Sequence, residues 1–283
     1  MKKGLVLEGG ALRGLFSAGV TDVLAEAGIE FDGMVGVSAG AAFGCNVKSR
    51  QPGRALRYSQ RLAHDWRYCS LRSLLTTGDI FGAEYAYHYM PRHIDIFDER
   101  AFEENPMEFW AVCTDVGSGR AHYQRLNRVD DECLEYIRAS ASMPLVSRIV
   151  RINGKKLLDG GVADSIPLKF FQRQGYGRNL VVLTQPDGYR KEPNRLMPLM
   201  RLSLRHHPKM IRAIANRHLM YNAQLDYVRQ QEREGNTLVI RPDAKLPISH
   251  ISHDPEEMQR TYDAGVAVAK RQIDKIRSFL GRE

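Results

Sequence analysis

Ser38 stands at the centre of Gly36-Val37-Ser38-Ala39-Gly40, a GxSxG pentad entered from the apolar residues Met34 and Val35 and left through Ala41, Ala42 and Phe43. An apolar run on one side and small residues on the other predict a strand, a sharp turn and a helix, with the serine on the turn. Gly36 and Gly40 leave room for strand and helix to close around it. The hydroxyl then points outward from a strand end, beside the amide of Ala39 at a helix N-terminus. A serine hydroxyl is a poor nucleophile at neutral pH, so the turn performs chemistry only with a base in hydrogen-bond reach. Taken alone, the pentad also reads as a five-residue pattern arising by chance or as a tight turn with a solvated serine.

A second group of residues lies upstream. Leu5, Val6 and Leu7 read as a buried strand running into Glu8-Gly9-Gly10-Ala11-Leu12-Arg13-Gly14, with a helix following and Gly28 placed to end it. Loop amides and a helix N-terminus make an anion-binding nest. Two phosphate patterns fail here: GxGxxG would need glycine where Ala11 stands, and the P-loop a lysine followed by Ser or Thr after its second glycine. An oxyanion hole is the better reading, with close helix-strand packing as the structural alternative. The loop leaves the first strand and the serine turn the next. Adjacent parallel strands with a right-handed crossover would bring both to one sheet edge.

The base must come from further along. Residues 149–152, the turn Asn153-Gly154 and residues 156–158 read as a hairpin that delivers Asp159-Gly160-Gly161. By itself this aspartate is also an ordinary turn residue. His206, His207, His218, His250 and His253 follow it and are open candidates for a triad histidine, none with a distinguishing context. His64, His88 and His93 lack metal-ligand spacing, and Cys45, Cys69, Cys113 and Cys133 form no CxxC pair, so neither metal nor other cofactor is expected.

The elements that must position these groups follow from periodicity. Helices are expected over 55–64, 84–90 and 130–139, the last ending in the small-residue segment Ala139 to Pro144. Residues 101–106 read as polar linker. Strands are expected over 108–114, 121–126, 180–184 and 237–240, and a long terminal helix over 255–280. The alternation predicts a three-layer α/β/α fold with a central, largely parallel sheet. A nucleophile at position 38 comes too early for an α/β-hydrolase, whose serine turn follows several strands.

Composition sets the frame. The chain has 283 residues, 43% hydrophobic and 26% charged, enough for a sizeable core in one large domain. Leu5 to Leu7 is too short for a signal-peptide core, and no apolar run approaches the roughly 20 residues that span a bilayer, so a cytoplasmic protein is expected. The net charge of +8 suits anionic lipid headgroups as well as nucleic acid. From Arg190 to Arg217 eight Lys or Arg stand against Glu192 alone, which reads either as a solvated basic face or as a membrane-surface segment.

Four motifs, EGGALRG (8–14), GVSAG (36–40), ASASMP (139–144) and LDGGVADSIP (158–167), occur in the order and spacing of the patatin-like phospholipases, and the chain resembles a bacterial member. The resemblance covers about residues 1–190, the catalytic core; 191–283 would be the C-terminal part of the same domain. It implies a serine-aspartate dyad without histidine, Ser38 as nucleophile and Asp159 as general base. Gly9, Gly10 and Ala11 would supply the oxyanion hole, with Arg13, Gly14, Gly36, Gly40, Gly160 and Gly161 in support. The family usually has a third glycine at position 11, and alanine there resists positive φ. Arg13 matches the family's basic position, where it would steady the loop or favour an anionic substrate. The implied activity is lipid acyl-ester hydrolysis of the phospholipase A or lysophospholipase type, without cofactor, on a lipid ester and with peripheral contact to an anionic inner-membrane surface; no nucleic-acid partner is expected. A transacylase, or a non-catalytic lipid- or anion-binding protein, is the alternative.

Overall fold

The computed structural model describes residues 1–281. Eight strands form one sheet: β1 (Lys3–Leu7), β2 (Gly33–Val37), β3 (Glu108–Asp115), β4 (Arg120–Arg125), β5 (Val150–Ile152), β6 (Lys155–Asp159), β7 (Arg178–Val182) and β8 (Thr237–Ile240). The helices are α1 (Gly14–Glu26), α2 (Ala39–Lys48), α3 (Arg54–Arg61), α4 (Leu71–Thr77), α5 (Met90–His93), α6 (Glu99–Glu104), α7 (Asp131–Ser140), α8 (Leu168–Arg173), α9 (Met197–Ser203), α10 (Pro208–Arg233) and α11 (Pro255–Gly281).

β3, β2, β1, β7 and β8 run parallel in that order, while β4, β5 and β6 add antiparallel pairings beside β3. Alternate residues of the buried strands serve opposite cores. Leu5, Leu7 and Met34 meet α1, α2, α3, α7 and α11 on one face. Val6, Val35 and Val37 meet α8 and α10 on the other. The expected three-layer α/β architecture is therefore what the chain adopts. On the first face α11 crosses α1 through glycines: a Cβ on Gly19 would lie 2.2 Å from the Tyr262 carbonyl oxygen, and one on Gly265 2.0 Å from that of Phe16. Backbone-to-backbone contact of this kind lets the C-terminal helix close the core.

β3 sets the geometry of the site. Trp110, Ala111 and Val112 pair with β2 on one edge and β4 on the other, and the next residues, Cys113 to Asp115, pair with β4 and β6. β6 must then take the edge that β2 has just left. Val37 opposite Val112 and Asp159 opposite Cys113 are thereby consecutive rungs, and the serine turn and the aspartate emerge side by side.

Two expectations are corrected. Residues 101–104, expected as linker, belong to α6, which the Asp98 side chain caps by accepting the Ala101 N–H and which buries Phe102 against Phe97 and Phe109. The helix expected over 84–90 is a wider π-type turn, Tyr85–Tyr89, running into α5. Pro91 explains the opening, because it has no N–H to donate and its ring excludes the carbonyl four residues earlier.

Candidate active site

Ser38 has φ 55° and ψ −122°, a conformation that a residue bearing a Cβ adopts only when its surroundings impose it. Here they do. The Ser38 carbonyl accepts the N–H groups of Ala41 and Ala42, starting α2, and its own N–H donates to the Ser140 hydroxyl at 2.9 Å. The flanking glycines are needed for contact: a Cβ on Gly36 would lie 2.3 Å from the Gly40 carbonyl oxygen, and one on Gly40 2.4 Å from that of Leu7 at the end of β1.

Asp159 ends β6 and is 5% exposed, against 8% for Ser38. One carboxylate oxygen accepts the Gly161 N–H at 2.7 Å, and the Ser38 side chain lies beside the carboxylate. Burial raises the carboxyl above its ordinary value, while the nearby Arg217 guanidinium and the bonds from Ser38 and Gly161 oppose that rise. The result is a carboxylate more basic than an exposed aspartate. Gly160 passes directly over β3, where a Cβ would lie 2.0 Å from the Val112 carbonyl oxygen. The Gly161 carbonyl accepts from the Ser165 hydroxyl and from Arg217 Nε, both at 2.6 Å.

The glycine loop lies against the serine turn, with a Cβ on Gly9 reaching within 2.8 Å of the Ser38 Cβ. Gly14 packs similarly on Ala39 and Phe43. The Glu8 N–H goes to the Val182 carbonyl and the Arg13 N–H to the Gly10 carbonyl. Among the described residues no acceptor takes the N–H of Gly9, Gly10 or Ala11. Ala11 adopts φ 50°, so the loop keeps the left-handed turn despite its Cβ, at a cost of about 1–2 kcal/mol. Glu8 is buried beneath it and accepts from the Tyr221 hydroxyl at 2.5 Å and the Thr184 N–H at 2.6 Å, tying the loop to β7 and α10. Burial raises this carboxyl, against the bonds that Tyr221 and Thr184 donate.

Ser38 stands where two cavities meet. One is apolar, running from Leu12, Ala42 and Phe43 to Tyr58, Met90 and Phe97. The other is polar and includes Gly9 to Ala11, Asp159 and the cations Arg13, Lys191 and Arg217. Met143 and Ala11 belong to both, so the serine lies at the divide between an oily channel and a charged one.

The structure thus brings together Ser38, Asp159, the 9–11 loop, Arg13 and the supporting glycines named from sequence. It does not bring a histidine to Asp159. His250 lines the polar cavity, but its Nε2 meets Arg13 Nη1 at 2.9 Å, and burial with the cations Arg13, Lys191 and Arg217 pushes the imidazole down to about 4. His253 Nδ1 meets the Ala63 carbonyl, and His206 the Arg205 guanidinium. The basic run also divides: Arg190 pairs with Asp226 and Arg195 with Glu192, whereas Lys191 and Arg217 line the cavity. Sequence reasoning missed Ser140, Thr184 and Tyr221. Ser140 lies within the ASASMP segment, whose small residues were the available signal; nothing local marks the other two.

Residues 5–171 match the family model of the patatin-like phospholipases, and residues 207–281 match DUF6363, a domain of unknown function. The second region supplies Arg217, Tyr221 and His250 to the polar cavity. The chain is similar to the uncharacterized protein YjjU of Escherichia coli K12, 31% identical over 200 residues that cover 65% of this chain and 52% of that protein. It is also similar to lysophospholipase nte1 of Aspergillus oryzae, 25% identical over 294 residues covering 97% of this chain and 18% of that protein. The chain therefore spans about half the length of the first relative and under a fifth of the second. Against the crystal structure of VipD from Legionella pneumophila the TM-score is 0.47 at 12% identity, over 97% of this chain and 67% of that one. The family match takes in more than half of the chain, with Ser38, Asp159 and the glycine loop inside it, and the chain belongs to the patatin-like phospholipase family.

Proposed function

We propose that the protein is a serine acyl-ester hydrolase acting on lipids, of the lysophospholipase or phospholipase A type. The observation that carries this reading is the position of Ser38, in a strained turn beside a buried aspartate at the divide between an apolar and a polar cavity. An acyl chain in the apolar cavity would place its ester carbonyl over Ser38. The hydroxyl oxygen attacks the carbonyl carbon as its proton passes to Asp159, whose raised basicity suits it to a proton acceptor's role. The tetrahedral oxyanion faces the N–H groups of Gly9, Gly10 and Ala11, fixed in place before the reaction begins. Asp159 returns the proton to the departing alcohol oxygen, the C–O bond breaks, and the acyl group remains on Ser38. Water then attacks the acyl-enzyme with Asp159 again taking the proton, and the fatty acid leaves as Ser38 regains its hydrogen.

Access to a lipid surface would come from the α9 side. Leu196, Leu199 and Leu202 are exposed beside Arg195, Arg201 and Arg205, and Met200 of the same helix lines the polar cavity. Apolar side chains among cations suit an anionic interface.

The test is release of fatty acid from lysophospholipid, measured for native protein and Ser38→Ala. Turnover by the native protein and loss of at least about a thousandfold in the variant support the reading. No ester turnover by native protein, with liposome binding intact, would favour a lipid-binding protein instead.

A further inference from the structure

Arg13, Lys191 and Arg217 come from three separate parts of the chain, the glycine loop, the segment after β7 and α10, and all line the polar cavity that contains Ser38. Elsewhere in the basic run Arg190 pairs with Asp226 and Arg195 with Glu192, while Arg201, Arg205, Lys209 and Arg212 are exposed at the surface. Among the described residues these three have no carboxylate within ion-pairing distance.

The two carboxylates of the cavity are already engaged. Glu8 accepts from Tyr221 and Thr184, and Asp159 from Gly161 with Ser38 alongside. The direct contacts of the cations are with neutral groups, and the carboxylates act on them from beyond ion-pairing distance. Arg217 Nε donates to the Gly161 carbonyl, Arg13 Nη1 meets His250, and Lys191 Nζ lies 5.6 Å from the centre of the Tyr221 ring. Arg13 Nε is buried without a hydrogen-bond partner. Three cations share the cavity with two carboxylates, and a ligand that brings further negative charge would balance them.

The position of Lys191 is itself arranged. Its backbone N–H donates to the Asn222 side-chain oxygen at 2.8 Å, and its carbonyl accepts from the Asn222 side-chain nitrogen at 3.0 Å. Asn222 follows Tyr221 on α10, so the clamp that holds Lys191 over the cavity adjoins the residue that holds Glu8 under the loop. Burial and the proximity of Arg217 and Arg13 lower the Lys191 ammonium to about 8, outweighing the opposing pull of Glu8.

We propose that Arg13, Lys191 and Arg217 bind the phosphate of a glycerophospholipid headgroup, so that the polar cavity selects phosphate-bearing lipids over neutral glycerides. This rests on the lipid-hydrolase reading and deepens it. The acyl chain enters the apolar cavity, the ester carbonyl lies over Ser38, and the glycerol backbone spans the short interval to the cations. The region of unknown function thereby has a role in specificity, since it contributes Arg217 and, through Asn222, the placement of Lys191.

The test uses non-hydrolysable ethers, so that binding does not depend on turnover. Calorimetry on the full chain carrying Ser38→Ala would compare 1-O-octyl-glycero-3-phosphate with 1-O-octylglycerol below their aggregation concentrations. The proposal expects the phosphate ether to bind tighter by about tenfold or more, the advantage to shrink as salt is raised, Lys191→Met to reduce it to about threefold or less, and Lys191→Arg to restore part of it. Equal affinity for the two ethers would overturn the headgroup site while leaving the hydrolase reading in place. So would a preference that survives Lys191→Met in a variant that melts like its parent. Failure of both ethers to bind would also overturn it; coupled with absence of ester turnover by the native protein, that outcome would remove the hydrolase reading too.

Discussion

The Ser140 hydroxyl accepts the Ser38 N–H at 2.9 Å and donates to the Val112 carbonyl at 2.6 Å. One small side chain at the end of α7 therefore joins the serine turn to β3, the strand that brings Val37 and Asp159 onto neighbouring rungs. Ser140→Ala removes both bonds in a place closed to water. The expected cost is about 1–3 kcal/mol for the groups left unpaired, read as a lower Tm. Because Ser38 is held in a strained conformation, its aim should loosen, with kcat falling about 10- to 100-fold.

In the proposed mechanism Asp159 gives up stability to serve as a base. Its folded value is raised above the ordinary 3.8, so the folded state holds its proton more tightly than the unfolded chain does. The stability this proton provides is intact below 3.8 and is lost as pH climbs through the raised folded value, so at neutral pH the buried carboxyl costs the fold stability. Asp159→Asn removes the titrating group. At pH 7 the variant should melt at a higher temperature than native protein, with the gain shrinking as the pH falls toward 4. Turnover should drop by about 10²- to 10⁴-fold.

Arg217 holds the Asp159 carboxyl down electrostatically, against burial. Arg217→Gln should therefore raise it further, and the acidic limb of the kcat/KM profile should move to higher pH. Arg217→Lys should retain most of the native position. A neutral short-chain ester suits this measurement, because limb position reports the ionisation of the free enzyme rather than headgroup affinity. An unchanged limb in Arg217→Gln would mean that a group other than Asp159 sets it.

Ala42 lines the apolar cavity close to Ser38. Ala42→Leu adds volume where an acyl chain would pass. The ratio of kcat/KM for hexadecanoyl over butanoyl esters should fall by about tenfold or more, corresponding to a few methylenes excluded from apolar surroundings. A ratio unchanged from native protein would place the acyl chain elsewhere.

The parallel strands and their helices were legible because Leu5 to Leu7, Met34 to Val37 and Leu180 to Val182 are apolar runs bounded by glycine loops or small-residue turns. Ser38 and Asp159 were legible as members of motifs, yet their adjacency depends on β6 taking over the β2 edge of β3, which no local pattern encodes. Tyr221 and Lys191 show the same limit. Each serves a partner far along the chain, Glu8 in one case and the polar cavity in the other, and neither stands in a distinguishing local context. The basic run was visible as charge, but that Arg190 and Arg195 find carboxylates while Lys191 and Arg217 line the cavity follows from where Asp226, Glu192 and Asn222 fall in space. Ala11 argued against a left-handed turn, and tertiary contacts around Gly9 and Glu8 override that preference.

The central claim is that Asp159 activates Ser38. The most direct measurement is the rate at which a fluorophosphonate probe labels the purified protein, with the modified residue identified by peptide mass spectrometry, in native protein and in Asp159→Asn. The account predicts a single label on Ser38 in native protein and labelling slower by about a hundredfold or more in the variant. A folded native protein that takes no label, or a Ser38 that labels equally fast without the carboxylate, would contradict it.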